Sequence, residues 1–184
     1  MKNVPQFLIV HHTGGSDTDP RADTSNHTFE IVNDWHKHLW NFKSSLGYYI
    51  AYHYFIDKTG KVTQGRADTD EGAHTIGKNN SSLGICLAGN FDITKPTTEQ
   101  ITALKALLKA KMTQYGVSMA NVVPHRKFAK KSCYGNLLTD AWVQDLLKEA
   151  PAPTPVPTTP SNDAIRDEIR THLQAVDTLL GKIK

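Results

Sequence analysis

A histidine and a cysteine lie within one lysine-rich stretch of the sequence, at His125 and Cys133. Imidazole nitrogen and thiolate sulfur favour a borderline-soft metal ion, of which zinc is the usual one in proteins. A third ligand must come from elsewhere, and His11 is the best candidate because it ends the apolar run Phe7–Val10. Three protein ligands leave a fourth position open, as in catalytic rather than structural zinc sites. The alternative at this point is a loop histidine beside an unrelated thiol.

Length and charge set broad bounds on the protein. A chain of 184 residues can form one well-buried domain plus an appendage. Its formal net charge of +3 suits an anionic partner but does not select nucleic acid over cell wall or membrane. No apolar run approaches transmembrane length, and residues 1–6 lack the apolar core of a signal peptide. We therefore expect a protein made in the cytoplasm, without stable membrane insertion.

The second cysteine has a different setting from the first. Cys86 lies in the apolar run Leu83–Ala88, which predicts a buried strand, so we expect its thiol to fill space in the core. A Cys86–Cys133 disulfide is not expected in a chain made without an export signal.

The first two predicted elements are a strand and a helix. Residues Phe7–His11 read as a central strand that delivers a histidine at its C-terminal end. A polar loop follows, and then a helix from about Thr28 to Trp40. The helix carries apolar residues at helical spacing: Ile31, Val32, Trp35 and Leu39.

Strand patterns dominate the middle of the chain. Tyr48–Asp57 is rich in aromatic and β-branched residues, and Lys61–Gln64 forms the second arm of a hairpin. Leu83–Ala88 is the next strand. A helix then opens with a capping-box pattern at Thr97 and stops at Gly116. Its apolar stripe comprises Ile101, Leu104, Leu108, Met112 and Tyr115.

Three segments follow this helix. Asn121–Pro124 is a short edge segment that leads into His125, and a last helix begins at about Thr139 and ends before Pro151. This helix is expected to bury Trp142 and Leu146. We therefore divide the chain into a domain over residues 1–150, a Pro/Thr-rich linker over 151–161, and an amphipathic helix over 162–184.

The predicted terminal helix carries an apolar seam with heptad spacing. A single helix of this length is marginal in water, so the seam must be buried against something. The options are copies in other chains, the chain's own main domain, or a wall or membrane surface. We expect homo-oligomerisation, because the Pro-rich linker would hold the helix clear of the domain. The seam comprises Ile169, Leu173, Val176, Leu180 and Ile183.

Several stretches of the sequence carry a family resemblance in their content and order. They are Ile9–Thr13, Ala51–Gly60, Gly72–Thr75 with Asn80–Ile85, and His125–Cys133, with Gln64–Arg66 and Gly89–Phe91 in support. Together they resemble the zinc amidases of the peptidoglycan recognition protein superfamily, the type-2 N-acetylmuramoyl-L-alanine amidases found in phage endolysins. The resemblance covers about residues 5–150. It implies an α/β fold, with a mixed central β-sheet flanked by helices and zinc at the floor of a groove.

The resemblance also implies roles for individual residues. His11, His125 and Cys133 match the zinc ligands of the family, and Zn²⁺ is the implied cofactor. Tyr52 matches the tyrosine beside the metal water, and Lys131 matches the lysine two positions before the third ligand. In many relatives the third ligand is aspartate, so the cysteine places this chain in the His-His-Cys branch.

Five further residues complete the expectations for the site. His74 matches a position that faces the substrate groove, and we expect His36 at the cleft edge and Asn80 to bind substrate as well. Side chains alternate along a strand, so His12 should point away from the metal. His53 is expected to pack beneath the site.

The chemistry of amide hydrolysis fits these residues. Zinc lowers the pKa of bound water to about 7 and polarises a carbonyl. Tyr52 is expected to orient the water or help transfer its proton, and Lys131 to donate to the developing oxyanion. The sequence has no His-Glu-x-x-His motif, which excludes the helix-borne metalloprotease pattern. A nucleophilic Cys133 with His125 as base would leave His11 without a role.

The implied function is cleavage of the amide between N-acetylmuramic acid and L-alanine of the stem peptide. The linker, the compact size and the absent signal favour a phage endolysin, made in the host cytoplasm and acting on the wall after release. Peptidoglycan is then the partner, and no nucleic acid is expected. One alternative is a non-catalytic peptidoglycan-binding module, as in superfamily members that lack a ligand. The other is a regulatory protein that binds a polymerase.

Overall fold

The computed structural model of the chain describes residues 2–16, residues 18–148 and Arg170. The predicted linker at 151–161 and, apart from Arg170, the predicted helix at 162–184 lie outside the described residues. Both therefore stay predictions. Among the described residues no helix is long and apolar enough to cross a membrane.

Five strands form one sheet: β1 (Phe7–His12), β2 (Tyr54–Ile56), β3 (Val62–Gln64), β4 (Ser82–Leu87) and β5 (Val122–Pro124). Their order across the sheet is β3-β2-β4-β1-β5. Strand β1 runs parallel to β4 and β5, and β2 runs parallel to β4, whereas β3 is antiparallel to β2. The sheet is therefore mixed, as predicted, and the predicted edge segment before His125 is an edge strand.

The two longest strands lie next to each other near the middle of the sheet, and their sequences explain why. All six residues of β4 are buried, as are five of the six in β1. Continuous apolar runs of this kind suit parallel strands that are covered on both faces. The cover comes from three helices: α1 (Phe29–Trp40), α2 (Thr98–Tyr115) and α3 (Trp142–Lys148).

Helices cover both faces of the sheet. On one face, α2 and α3 pack on a core that includes Leu8, Val10 and Ile85. On the other face, α1 contributes Phe29 and Val32 to a smaller cluster. The other buried members of that cluster are Ile50, Phe55, Cys86 and Ala88. The predicted architecture of a sheet flanked by helices is confirmed.

Helix α2 begins and ends where its sequence predicts. The hydroxyl of Thr97 accepts a hydrogen bond from the Gln100 backbone N–H at 3.1 Å, and the Gln100 side chain accepts one from the Thr97 N–H at 3.1 Å. This reciprocal pair satisfies two backbone donors that no helical carbonyl can reach. Gly116 ends the helix with a φ of 65°, a conformation that glycine adopts without strain.

Helix α1 buries a different face from the one its apolar spacing predicts. Ile31, Trp35 and Leu39 are about half exposed, at 48%, 53% and 50%. The inward face carries Asn33 and His36 because backbone N–H groups of residues 49–51 need acceptors there. The buried residues of the helix are Phe29, Val32 and His36.

The same contacts shorten β2 relative to the predicted strand Tyr48–Asp57. The Asn33 side-chain oxygen accepts hydrogen bonds from the backbone N–H groups of Tyr49 and Ile50, at 2.7 and 3.1 Å. His36 Nδ1 accepts one from Ala51 at 3.0 Å. Side chains of α1 thus take the place of a neighbouring strand, and the ladder begins only at Tyr54. The last helix also begins later than predicted, because a turn joins Trp142 to Thr139 before the helix starts.

Candidate metal centre

Sheet topology brings two of the predicted ligands together. His11 lies near the C-terminal end of β1, and His125 follows β5 directly in a 3₁₀ turn. Because β1 and β5 are parallel neighbours, their C-terminal ends meet at one edge of the sheet. The two imidazole rings are 4.5 Å apart between centroids. The register of the sheet, rather than sequence proximity, therefore pairs residues more than a hundred positions apart.

Cys133 reaches the same point from a loop that Arg126 organises. The Arg126 backbone N–H donates to the Cys133 carbonyl at 2.7 Å. Its guanidinium donates to the carbonyls of Ser132 and Gly135, at 3.1 and 2.8 Å, and also pairs with the Asp140 carboxylate. The partly buried guanidinium of Arg126 thus holds the backbone on both sides of the cysteine.

A second anchor for this loop comes from the segment after β4. The Asp92 carboxylate accepts hydrogen bonds from the Ser132 hydroxyl and the Asn136 backbone N–H, both at 2.7 Å. Cys133 lies between these two donors in sequence. The backbone that carries the sulfur is therefore held on both sides.

The side chains of His11, His125 and Cys133 form a group suited to one metal ion. Their ligand atoms all lie within 4.8 Å of one another. The Cys133 sulfur is 3.7 Å from His11 Nδ1. A tetrahedral ion of the size of zinc needs ligand atoms roughly 3.3–3.6 Å apart. Two nitrogens and one sulfur at this spacing fit such an ion with small movements, and they leave a fourth position free.

Burial keeps both histidine ligands neutral. It lowers the pKa of His11 well below 6.5, and the neighbouring His74 and His125 add to the effect. Burial and the charge of Lys131 lower the pKa of His125 to about 4. Neutral imidazoles have a free nitrogen lone pair at neutral pH, which a metal requires.

Burial shifts the pKa of the Cys133 thiol in the opposite direction, upward. Burial raises the pKa of Cys133 to about 12, against the opposing influence of a hydrogen bond from the His12 backbone and of the charge on Lys131. In the metal-free protein the sulfur is therefore protonated at neutral pH. A metal that binds the thiolate must displace this proton. Both cysteines of the chain are free, in keeping with the expectation that they form no disulfide.

Tyr52 and Lys131 lie beside the three ligands. The Tyr52 ring is 5.0 Å from the His11 ring between centroids. Burial, with smaller contributions from Cys86 and Cys133, raises the Tyr52 pKa well above 10, so the phenol stays protonated and can donate a hydrogen bond. Lys131 is exposed at the rim, and its charge acts on the pKa of His125.

The structure buries His74 and His36, which we expected to face the substrate. The His74 ring is 8% exposed and lies behind His11, with His11 Nε2 and His74 Nδ1 3.0 Å apart. His36 is 1% exposed, because its ring faces the backbone of residue 51 as described above. Neither ring has an open face for a ligand in this structure.

Asn80 also lies apart from the ligands. Its carbonyl accepts a hydrogen bond from Val4, just before β1, whereas His11 is near the other end of that strand. Asn80 lies in the turn before β4, and the first residue of that strand, Ser82, pairs with Phe7, four positions before His11. The substrate-binding role of Asn80 stays a prediction.

The two other histidines near the ligands occupy the positions that alternation predicts. His12 lies on the opposite face of β1 from His11, and its Nδ1 accepts a hydrogen bond from the Phe91 N–H at 2.9 Å. His53 is fully buried and accepts one from the Gly84 N–H at 3.1 Å. Both side chains satisfy backbone donors around the site.

Three residues that shape the site were absent from the sequence-based prediction: Arg126, Asp92 and Asn79. Asn79 accepts hydrogen bonds from the backbone N–H groups of His74 and Thr75, at 2.9 and 2.8 Å. Each of the three lies within one or two positions of a recognised motif, which is the only signal for them in the sequence. Their partners are backbone groups, and a residue pattern does not reveal those.

Comparison with known proteins gives consistent results. Residues 1–136 match the family described as N-acetylmuramoyl-L-alanine amidase. Peptidoglycan-recognition protein SD of Drosophila melanogaster is 34% identical over 113 residues, which are 60% of this chain. The chain spans only 56% of the length of that protein.

Solved structures share the fold. The endolysin N-acetylmuramoyl-L-alanine amidase LysCS from Clostridium intestinale URNW superimposes with a TM-score of 0.65 and 26% identity, covering 80% of this chain and 86% of LysCS. The Drosophila peptidoglycan recognition protein SD superimposes with a TM-score of 0.59 and 23% identity, covering 82% of this chain and 86% of that one. At that identity the second likeness concerns the fold alone.

Proposed function

The chain belongs to the N-acetylmuramoyl-L-alanine amidase family, and we propose that it is a zinc-dependent enzyme. Its reaction would be hydrolysis of the amide between N-acetylmuramic acid and L-alanine of the peptidoglycan stem peptide. The observation that carries this proposal is the convergence of His11, His125 and Cys133, whose ligand atoms all lie within 4.8 Å of one another. The similarity to the amidase LysCS supports the choice of bond.

The residues around this point fit the needs of amide hydrolysis. When bound, a zinc ion supplies a Lewis acid that lowers the pKa of its water to about 7 and polarises a carbonyl. His11, His125 and Cys133 would hold the ion. The protonated Tyr52 hydroxyl would orient the attacking water by donating a hydrogen bond. The exposed ammonium of Lys131 would stabilise negative charge on the substrate carbonyl oxygen.

Digestion of purified cell wall tests this function. We expect mass spectrometry to find soluble stem peptides with a free N-terminal L-alanine, while the glycan strands keep their length. Protein treated with a zinc chelator is the control and should release none. Release of reducing sugars instead would indicate a glycosidase. Binding to the wall with no released peptide would favour the alternative, a non-catalytic peptidoglycan-binding module.

Zinc affinity should depend on pH through the thiol rather than through the histidines. Because Cys133 has a pKa of about 12 in the metal-free site, zinc binding releases one proton throughout the acidic range. His125 has a pKa of about 4 and is already neutral above pH 5. We expect the Kd for zinc to rise about tenfold for each unit of pH lost between pH 6.5 and 5, measured by competition with a chelator.

This expected dependence of the zinc Kd on pH differs from the one for unperturbed histidines, which have a pKa of about 6.5. Such histidines would take up protons as well and begin to release the metal below about pH 6. The Kd would then rise by nearly a thousandfold per unit, and that slope would contradict the burial argument. Cys133→Asp is the matched control, because the unperturbed pKa of aspartate is about 3.9 rather than about 8.5, so its Kd for zinc should depend less steeply on pH than that of the parent chain.

We propose that the enzyme serves in bacterial lysis. The similarity to an endolysin amidase supports this role, with synthesis in the host cytoplasm and action on the wall after release. Adding the purified protein to cells whose outer barrier has been made permeable tests it. The optical density should fall with the protein and remain constant with the chelated sample.

We propose that the seam predicted in residues 162–184 mediates self-association. Light scattering on the full chain and on a chain ending at Lys148 measures this directly, since residues 2–148 contain the whole sheet and its three helices. We expect the full chain to be oligomeric and the shortened chain to be monomeric. Two monomers at working concentration would contradict the proposal. Leu173→Lys in the full chain is a point control and should also give a monomer, because it places a charge in the seam.

A further inference from the structure

The two ring nitrogens of His11 face different partners. Its Nδ1 is 3.7 Å from the Cys133 sulfur and therefore points toward the centre of the ligand group. Its Nε2 points the other way and lies 3.0 Å from Nδ1 of His74. His11 is only 1% exposed, so water cannot take the place of this partner. The Nε2 atom of His11 is therefore held by His74, independently of the role of Nδ1 at the candidate metal site.

The position of the His74 ring is built by its surroundings. A Cβ added at Gly72 or at Gly84 would lie 2.5 Å from ring atoms of His74, closer than any real contact. Two glycines from separate segments thus form a slot of the thickness of the ring. Asn79 fixes the backbone of the same loop through the His74 N–H. The ring therefore has one place, directly behind His11.

The hydrogen bonds of the His11 and His74 rings form a series in which each group donates to the next. A neutral His11 that binds a metal through Nδ1 carries its hydrogen on Nε2, so His74 Nδ1 must accept it. His74 then carries its own hydrogen on Nε2, which lies 3.4 Å from the Ser82 hydroxyl oxygen. Ser82 in turn donates to the Lys78 carbonyl at 2.7 Å. The Thr75 hydroxyl oxygen also lies 3.0 Å from His74 Nδ1, but the single lone pair of that nitrogen is used for the His11 hydrogen, so the Thr75 hydroxyl must direct its own hydrogen elsewhere.

We propose that His74 is a positioning residue that acts through His11. By accepting the Nε2 hydrogen, it selects the tautomer of His11 that leaves Nδ1 free for the metal, and it fixes the plane of that ring. This inference rests on the proposed function only in so far as the site binds zinc. It replaces the expected contact of His74 with substrate, for which the buried ring has no open face.

Partners of this kind affect metal binding measurably. Removal of a group that holds a ligating histidine typically weakens metal affinity by roughly 10- to 100-fold. The usual partner is a carboxylate, a backbone carbonyl or water. Here the partner is a second neutral imidazole. It accepts one hydrogen bond and donates the next, and the series of hydrogen bonds ends at a backbone carbonyl.

Two variants of similar size separate this role from simple packing. In His74→Asn the side-chain oxygen can occupy the place of Nδ1 and accept the His11 hydrogen, whereas His74→Leu fills the slot without an acceptor. We expect His74→Leu to raise the Kd for zinc by roughly 10- to 100-fold. His74→Asn should stay within about threefold of the parent chain, since the acceptor is kept. Chelator competition gives both values, and thermal unfolding of the metal-free proteins reports their folding.

A second measurement needs no variant and so does not depend on their folding. Nitrogen-15 NMR of the zinc-loaded parent chain identifies which ring nitrogen carries hydrogen. We expect the hydrogen on Nε2 in both His11 and His74. A hydrogen on Nδ1 of His74 would overturn the proposal, because that ring could then not accept from His11.

The outcomes of the affinity measurements are equally distinct. Parental zinc affinity in His74→Leu, or an equal loss in the Leu and Asn variants, would overturn the positioning role. A parent chain that binds no zinc would overturn both this inference and the proposed function. A parent chain that binds zinc but releases no stem peptide would overturn the amidase activity alone.

Discussion

Replacing Cys133 with alanine should remove zinc and amidase activity together. The sulfur is one of three candidate ligand atoms, and hydrogen bonds of Arg126 and Asp92 hold the loop that carries it. The substitution therefore removes a ligand without unfolding the loop. Zinc sites with four protein ligands bind with roughly 10–16 kcal/mol, or about 2.5–4 kcal/mol per ligand. We expect the Kd for zinc to rise roughly a hundred- to a thousandfold, measured by chelator competition alongside peptide release.

The chain offers a matched control in its other cysteine. Cys86 is fully buried in the cluster beneath α1 and lies outside the ligand group. Cys86→Ala should keep a full equivalent of zinc. Cys133→Asp supplies a carboxylate, which zinc also accepts, and should recover part of the affinity. If Cys133→Ala kept zinc at the parental affinity, the third ligand would have to be another residue.

The grouping of the three metal ligands could be predicted because it follows from features that sequence shows well. An apolar run ending in His11 predicts a buried strand with a histidine at its end, and Asn121–Pro124 predicts a short edge segment before His125. Once both strands are parallel neighbours, their ends must meet. The first and last residues of α2 could also be predicted, because its capping box and its final glycine are local sequence signals.

The orientation of α1 and the start of β2 could not be predicted, and both have one cause. Periodicity counts apolar side chains, so it placed Ile31, Trp35 and Leu39 inward. In the structure the backbone donors of residues 49–51 are satisfied by Asn33 and His36, so the face that carries these two side chains, together with Phe29 and Val32, is turned inward. A buried N–H without a partner costs about 1–3 kcal/mol, comparable with burying one apolar side chain.

The place of His74 depended on residues that are distant in sequence. Its slot needs Gly72 and Gly84, and its partners are His11 and Ser82. A motif shows that a histidine recurs at a position, but not which way its ring faces. The expectation of a groove-facing residue was reasonable from the motif alone, and only the tertiary contacts place the ring behind His11.

Tyr52→Phe and Lys131→Ala should each lower amidase turnover while leaving zinc bound. Neither residue belongs to the ligand group, but the Tyr52 ring lies 5.0 Å from His11 and Lys131 acts electrostatically on His125. A donor aimed at charge that develops in the transition state is typically worth roughly a hundred- to a thousandfold in rate. We expect losses of that size in kcat from the release of stem peptides, with the Kd for zinc within about threefold of the parent.

Neighbouring residues of the same type provide the controls for this pair. Lys130→Ala removes an exposed charge one position away, and Tyr48→Phe removes the hydroxyl of a tyrosine that is 41% exposed on the surface. Both should turn over at nearly the parental rate, because the effect depends on where the donor points rather than on net charge or on a hydroxyl as such. Equal losses in Lys130→Ala and Lys131→Ala would indicate that both act by attracting the anionic wall. Near-parental turnover in both Tyr52→Phe and Lys131→Ala would mean that the three ligands and their metal perform the hydrolysis without these donors.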